Sequence, residues 1–199
     1  MNKSEVKWDK KLKIRTIGRD ASAEDVNHYP YEPTSYSVLQ RLSESGYLTS
    51  ESCVVDYGCG KGRVDFYLSY SLGCHTIGIE LDGNLYQEAL ENKVSCIKSD
   101  KVSFVHTAAE EYIVDSQADC FYFFNPFSLK ILKSVIGKVI DSWYERPRNM
   151  LLFFYYPSDE YVSYLMTVPE FEFLDEIDCA DLFEGNNIRE RIMIFEVSC

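Results

Sequence analysis

The chain has 199 residues, of which 46% are hydrophobic, and a formal net charge of −12 at pH 7. A chain of this length and composition can bury a sizeable core, so we expect one globular domain and exclude a disordered protein. The negative charge argues against a broad nucleic-acid surface, because affinity for nucleic acid comes largely from Lys and Arg on phosphates.

The seven cysteines are scattered and odd in number, and no two of them form a C-x-x-C pair. This pattern argues against a disulfide framework and a zinc site, and it predicts a reducing, cytoplasmic setting. The start of the chain is charged and lacks the apolar segment of a signal peptide. The longest apolar run, residues 150–156, is too short to span a bilayer. We therefore expect no membrane association and no bound metal.

Residues 1–33 are predicted to form a basic arm and a loop ahead of a domain at residues 34–199. The arm, residues 1–19, contains seven basic side chains and only two acidic ones, Glu5 and Asp9. Such an arm is a solvated terminus, a segment that docks on the acidic body of the same chain, or a segment that touches RNA. Nucleic-acid contact is expected at this arm only.

The domain is predicted to begin with a helix that Thr34 or Ser35 caps and that Gly46 ends. Apolar residues recur in it at helical spacing: Val38, Leu39 and Leu42.

Residues 54–64 read VVDYGCGKGRV, which is a buried strand, an acid at its carboxyl end, three alternating glycines and a helix start. Alternating glycines allow a tight turn, and they let backbone amides approach a ligand that also meets the positive end of the helix. The turn therefore predicts a nucleotide-like ligand. A dinucleotide motif, G-x-G-x-x-G, is disfavoured because Gly62 comes one residue early and Arg63 takes the dehydrogenase position.

Strands and helices alternate along the rest of the chain. A strand at 52–57, a helix at 63–72 and an apolar strand at 74–80 form a βαβ unit. Its right-handed crossover brings the carboxyl ends of both strands to the same edge of the sheet. The later predicted elements are a helix at 82–92, a strand at 102–106, a short helix from Glu110, a strand at 118–124, a helix at 128–145, a strand at 149–156, a helix at 157–166, and strands at 171–179 and 188–197.

The glycine stretch resembles the first motif of class I S-adenosylmethionine-dependent methyltransferases, [DE]-x-G-x-G-x-G. In that family the glycine loop wraps the methionine part of the cofactor, and the motif acid, here Asp56, helps to hold its amino end. The resemblance implies that S-adenosylmethionine is the cofactor and that it is held by Asp56, Tyr57, Gly58, Cys59, Gly60 and Gly62. It also implies a single three-layer α/β domain with a Rossmann-like, seven-stranded, mostly parallel sheet and a C-terminal antiparallel hairpin strand.

Further cofactor contacts follow from the same resemblance. Glu80 ends the second strand, where a carboxylate can accept two hydrogen bonds from a ribose diol, and Leu81 would flank the adenine. Ala108 lies in the turn that borders the adenine, where many members have an Asp that this chain lacks. Residues 31–34 are similar to the segment that precedes a cofactor-covering helix in amino-group methyltransferases, which implies a contact from Thr34; a capping Thr explains the same letters.

The fourth predicted strand runs into Asn125-Pro126-Phe127, which resembles a shortened form of the [DN]-P-P-[YFW] motif of amino-group methyltransferases. A planar amino nitrogen is a poor nucleophile because its lone pair is delocalised. The Asn125 side-chain oxygen and a proline carbonyl can accept its N–H groups, and an aromatic ring can stack on the acceptor and align it. These three residues are the predicted catalytic residues, with Asn125 also touching the cofactor. A simple strand end explains the same letters.

The preferred function is methyl transfer to nitrogen of an acceptor that the sequence does not identify, whether small molecule, protein or RNA. Three alternatives stay open. They are a small-molecule O- or C-methyltransferase, a non-catalytic S-adenosylmethionine-binding partner protein, and a nicotinamide oxidoreductase, which Arg63 disfavours.

Overall fold

A computed structural model of the chain describes residues 3–19, 31–185 and 187–198. Strands and helices alternate through these ranges. The strands are β1 (Cys53–Tyr57), β2 (His75–Glu80), β3 (Val102–His106), β4 (Cys120–Phe123), β5 (Leu151–Tyr155), β6 (Phe171–Asp178) and β7 (Arg191–Val197). The helices are α1 (Lys3–Leu12), α2 (Tyr36–Glu44), α3 (Arg63–Leu72), α4 (Gly83–Ser95), α5 (Leu129–Glu145) and α6 (Asp159–Leu165).

The strands form one seven-stranded sheet in the order β3-β2-β1-β4-β5-β7-β6. The first five strands are parallel, and β7 pairs antiparallel with both β5 and β6. The register aligns Tyr57 with Phe123 and Glu80 with His106, so the carboxyl ends of four strands meet at one edge. The predicted fold class, a mostly parallel sheet with an antiparallel C-terminal pair, is confirmed.

Helices cover both faces of the sheet because the central strands are apolar on both sides. All four residues of β4 are buried, as a central parallel strand requires. One apolar layer joins Val55 and Phe121 to α5 and α6, and the other joins Val54 and Tyr122 to α1, α2 and α3. Alternate residues of the strands thus supply the two cores of a three-layer domain. None of the described helices has the length and apolar composition needed to cross a membrane.

Two predicted elements are corrected. The short helix from Glu110 is a single turn, closed by hydrogen bonds from the amides of Glu111 and Tyr112 to the carbonyl of Ala108 at 3.0 and 3.1 Å. The chain leaves helical geometry there because Tyr112 then reaches the apolar core. The last strand begins at Arg191 rather than at residue 188, and the residues before it form a turn.

The N-terminal segment is a helix that packs on the domain. Trp8 of α1 stacks on Tyr36 with ring centroids 5.7 Å apart and meets Tyr67 edge-on at 5.0 Å. Leu12 and Ile14 are buried in the same apolar layer. Residues 3–19 therefore dock on the body of the chain, which is one of the three interpretations of the basic arm. Residues 20–30 of the predicted loop at 20–33 lie outside the described residues, and the domain boundary at residue 34 stays a prediction.

A buried ion network fastens this segment to the start of α3. Arg63 is 3% exposed; its Nη1 pairs with the carboxylate of Glu5, and its Nη2 lies 3.8 Å from Oδ1 of Asp9. Its Nε donates to Oγ1 of Thr16 at 2.7 Å, and its guanidinium lies 4.5 Å from the ring centroid of Tyr36. The hydroxyl of Tyr36 donates in turn to Asp9 at 2.7 Å. One cation thus holds two acids of the first helix.

Replacing Arg63 with methionine should be strongly destabilising. The substitution keeps much of the apolar stem but leaves the acids of α1 without their cation in a buried site, which costs about 3–5 kcal/mol. Arg41→Met is the matched control, because the Arg41–Asp181 pair is exposed and should contribute no more than about 1 kcal/mol. Urea unfolding of both variants measures the difference, and similar losses for the two would contradict the role given to Arg63.

Candidate functional site

The glycine loop follows β1 at the carboxyl edge of the sheet. The amides of Gly58 and Cys59 donate to the carbonyl of Ile79 at 2.9 and 3.0 Å, which turns the chain across the end of β2. Gly58 and Gly60 have φ of 76° and 54°, a region that side chains rarely tolerate. A Cβ on Gly58 would lie 2.6 Å from Cβ of Pro126, so the loop is packed against the segment after β4.

Glu80 holds this loop in place. Its Oε2 accepts from the amide of Gly60 at 2.8 Å, and its Oε1 accepts from the amide of Asp82 at 2.8 Å. The side chain is 8% exposed, and burial raises the pKa of its carboxyl group. The amide of Leu81 is a further donor to this carboxylate, which keeps acceptor capacity because each of its two oxygens can accept two hydrogen bonds. The predicted ribose acid is therefore oriented by backbone amides and retains acceptor capacity.

Asp56 lies beneath the loop beside a second buried acid. Asp56 is 3% exposed and Asp65, in the first turn of α3, is fully buried, and their carboxyl groups lie within hydrogen-bonding reach of each other. Apart from this contact between the two acids, no side chain of the described residues donates to Oδ2 of Asp56 or to either oxygen of Asp65. Burial raises the pKa of Asp56 to about 7, and burial together with Asp56 raises the pKa of Asp65 well above its usual value. The pair therefore holds a proton near neutral pH, since two adjacent buried carboxylates do not both ionise.

Three of the predicted cofactor residues have buried side chains. The ring of Tyr57 is buried and stacks on Phe123 at 5.0 Å, which leaves only its backbone for a ligand. Cys59 is buried, and burial raises the pKa of its thiol, so the nucleophilic thiolate form is disfavoured. Thr34 is also buried, and its hydroxyl is 3.0 Å from that of Tyr122, so its side chain does not cap α2 and already has a partner.

The predicted adenine residues flank Glu80. Leu81 is 44% exposed, as a residue that covers a ligand ring should be before the ligand binds. The carbonyl of Leu81 is 2.9 Å from Nε2 of His106, whose ring stacks on Tyr86 at 4.9 Å. Ala108 lies two residues beyond β3, after Thr107, whose amide donates to the carbonyl of Glu80 at 3.1 Å. His106 thus has a structural role that fixes the backbone of Leu81.

The predicted catalytic tripeptide divides into two partly buried positions, Asn125 and Pro126, and one core position, Phe127. Asn125 has φ of 43°, and its Oδ1 is buried without a hydrogen-bond donor among the described residues. Pro126 is the residue that packs on Gly58, so Asn125 lies beside the glycine loop. Phe127 is 3% exposed and meets Phe123 edge-on at 6.4 Å inside the core. The structure therefore does not bring the ring of Phe127 to the surface, and its expected stacking on an acceptor is corrected to a packing role.

Sequence reasoning missed two side chains at the loop. Asp65 could have been found, because an acid stands there in a helix start that is otherwise apolar and aromatic. Tyr31 belongs to the predicted segment 31–34, of which only Thr34 was expected to contact the cofactor. The ring of Tyr31 lies against Gly60, where a Cβ would come within 2.2 Å, and its hydroxyl donates to the carbonyl of Thr16 at 2.7 Å. Across the described ranges, no group of three or more His, Cys, Asp or Glu side chains is arranged to hold a metal ion.

Comparison with known sequences finds two short matches. A protein-lysine N-methyltransferase of Saccharolobus islandicus is 32% identical over 68 residues, which are 34% of this chain and 42% of that protein. Phosphoethanolamine N-methyltransferase 1 of Zea mays is 44% identical over 43 residues, which are 22% of this chain and 9% of that protein. The chain thus matches less than half the length of either relative. No protein-family model matches it.

Comparison with solved structures gives broader coverage. An RNA methyltransferase of Salinibacter ruber, solved in complex with S-adenosyl-L-homocysteine, superposes with a TM-score of 0.56 at 20% sequence identity. The match covers 84% of this chain and 94% of that one. Strand order, glycine loop and this superposition agree, and they give the chain the fold of the class I S-adenosylmethionine-dependent methyltransferases.

Proposed function

We propose that the chain binds S-adenosylmethionine and transfers its methyl group to a nitrogen atom of an acceptor. The observation that carries the proposal is the unpaired, buried Oδ1 of Asn125 beside the glycine loop. A buried amide oxygen without a donor costs free energy, so its retention is accounted for if an N–H group of the acceptor meets it. Both sequence relatives are N-methyltransferases by name, which supports nitrogen as the methylated atom.

The residues around the loop fit the cofactor. Beside its contact with Asp65, the carboxyl group of Asp56 can accept from the ammonium of the methionine part once it is ionised. The remaining lone pairs of Glu80 can accept from the ribose hydroxyls, and the exposed side chain of Leu81 can cover the adenine. The glycine loop admits close approach because it has no Cβ atoms at its three alternating glycines. These groups account for the ammonium, the ribose hydroxyls and the adenine face of the ligand.

The contribution of the protein to catalysis is alignment. When bound, the cofactor supplies a methyl group on a sulfonium, which is already strongly electrophilic. Asn125 would accept an N–H of the acceptor and point the nitrogen lone pair toward that methyl group. Holding two reactants in this geometry replaces a bimolecular encounter with an oriented one, and no strong base is required before attack. The left-handed backbone of Asn125 directs its side chain out of the strand line.

The setting we propose is the cytoplasm. The six cysteines in the described residues are all free thiols, and several of them are buried. Persistent free thiols are typical of a reducing compartment.

An alanine at Gly60 should weaken cofactor binding at least about tenfold, or ~1.4 kcal/mol. Its Cβ would collide with Tyr31 and strain a residue whose amide Glu80 holds. Gly73→Ala is the matched control, because Gly73 has a similar φ of 77° but no atom within 4 Å of the added Cβ. Calorimetric titration of both variants with S-adenosylhomocysteine measures the effect. Equal affinities for the two would contradict the assignment of the loop.

Glycine at position 125 should remove methyl transfer while cofactor affinity stays unchanged. This variant keeps the left-handed backbone, which glycine adopts without strain, and deletes only the amide that aligns the acceptor. We expect turnover to fall about 100-fold or more. The assay is transfer of labelled methyl groups to fractions of an extract from cells that lack the protein. Full turnover by Asn125→Gly would reject the alignment role, and no transfer by the unmodified chain to any fraction would favour a non-catalytic binder.

Cofactor affinity should rise with pH up to about pH 7 and level off above it. Below the raised pKa of Asp56, which is about 7, this carboxyl group is protonated and cannot attract the ammonium. Binding then expels one proton, so affinity changes by about tenfold per pH unit below the pKa. Titrations with S-adenosylhomocysteine in two buffers of different ionisation enthalpy measure the released proton. Asp56→Asn should bind more weakly with no such pH dependence, and an unchanged pH profile in this variant would exclude Asp56 as the cause.

A further inference from the structure

An arginine without an ionic partner lies at the carboxyl end of β5. The Cζ atom of Arg189 is 4.4 Å from the ring centroid of Tyr156. Its Nε is buried without a hydrogen-bond partner, and no carboxylate of the described residues pairs with its guanidinium. Three other arginines, Arg41, Arg63 and Arg191, each pair with an acid. Arg146 and Arg148 have no such pair either, but their guanidinium groups donate to backbone carbonyls, whereas no hydrogen bond of the Arg189 guanidinium is found among the described residues.

The surrounding backbone fixes this arginine in position. Tyr156 has φ of 51°, and its amide donates to the carbonyl of Arg191 at 3.0 Å. Nδ2 of Asn187 donates to the hydroxyl of Tyr156 at 2.9 Å, and Oδ1 of Asn187 accepts from the amide of Arg189 at 3.1 Å. One side-chain amide thus holds both the ring and the residue that stacks on it. A guanidinium held in this way loses little further freedom when it binds a ligand.

The stacked arginine lies on the same edge of the sheet as Asn125. The ring of Tyr156 is 6.5 Å from the ring of Phe124, centroid to centroid, and Phe124 directly precedes Asn125. Neither ring is fully buried. Two aromatic rings therefore separate the unpaired amide oxygen of Asn125 from the unpaired guanidinium of Arg189. A ligand that touched both polar groups would lie along these two rings.

The chemistry of Arg189 selects an anion. Stacking on the ring occupies one face of the guanidinium and leaves its planar edge for an oxygen anion, which it can bind with two parallel hydrogen bonds. Leaving Nε buried and unpaired costs free energy that such a bond would offset. A single arginine matches one anionic group rather than the repeated phosphates of a nucleic acid, which require several cations.

We propose that Arg189 binds a carboxylate or phosphate group of a small acceptor whose amine meets Asn125. Tyr156 and Phe124 form the wall between the two ends of this acceptor. Arg189 is thus a specificity-determining residue. The proposal rests on the proposed function, because Asn125 marks the methylated end.

Inorganic phosphate and acetate are suitable probes for the full chain saturated with S-adenosylhomocysteine. We expect one arginine Nε–H resonance to shift saturably with phosphate, acetate or both, with a dissociation constant on the order of millimolar. This resonance should be missing in Arg189→Gln and unaffected in Arg146→Gln, the matched control at an exposed position that follows α5. The anion with the lower dissociation constant indicates whether the acceptor carries a phosphate or a carboxylate. Sodium chloride at equal ionic strength should cause no saturable shift.

The outcomes separate this proposal from the proposed function. Normal binding of S-adenosylhomocysteine without a saturable anion shift at Arg189 would overturn the anion site and leave the methyltransferase proposal intact. Anion binding without any binding of S-adenosylhomocysteine would overturn both assignments of the acceptor site. Tighter binding of a single-stranded oligonucleotide than of either small anion, lost in Arg189→Gln, would overturn the small-acceptor proposal. With an extract fraction as acceptor, Arg189→Gln should raise KM and leave kcat nearly unchanged.

Discussion

The hydrogen bond between the amide of Gly60 and the carboxylate of Glu80 is the contact on which the candidate site depends. It joins the glycine loop after β1 to the end of β2, so one side chain fixes the position of the whole turn. The other oxygen of Glu80 holds the start of the next helix through Asp82. The backbone amides of the loop are therefore held in a fixed position. Pro126 packs on Gly58, so the segment after β4 lies directly beside the loop. The residues proposed to hold the cofactor and the acceptor thus lie at one edge of the sheet.

Much of the fold could be predicted because its signals are local. The apolar strands, the glycine spacing and the acid at position 80 each lie within a few residues of one another, and together they indicate a βαβ unit and a parallel sheet. The packing of Phe127 could not be predicted in this way, because an aromatic residue after a strand suits a core and a binding surface equally. The partner of Asp56 was missed since Asp65 lies on the next element, and only the crossover brings the two acids together.

Docking of the N-terminal segment on the body of the chain was one of three interpretations, but the contacts that dock it could not be predicted from the sequence. Seven basic residues suggested a charge effect, yet the contacts that dock α1 come from its two acids and from Trp8. An acid in a basic segment gives no signal by itself, because its partner, Arg63, lies far away in sequence. In the sequence, Arg63 served only as an argument against a dinucleotide motif. In the structure its guanidinium bonds Thr16 and the carbonyl of Thr34, and it stabilises the start of the helix that follows the glycine loop.

The connection between Glu5 and Arg63 spans 58 residues of sequence, which has a consequence for protein synthesis. Helix α1 has ten residues, too few to be stable in water by itself. It leaves the ribosome well before its only described cationic partner has been made, so it stays unfolded while the following residues emerge. Helix α1 is therefore translated before the residues that it packs on, and it can reach its final conformation only when the segment that contains Arg63 is in place.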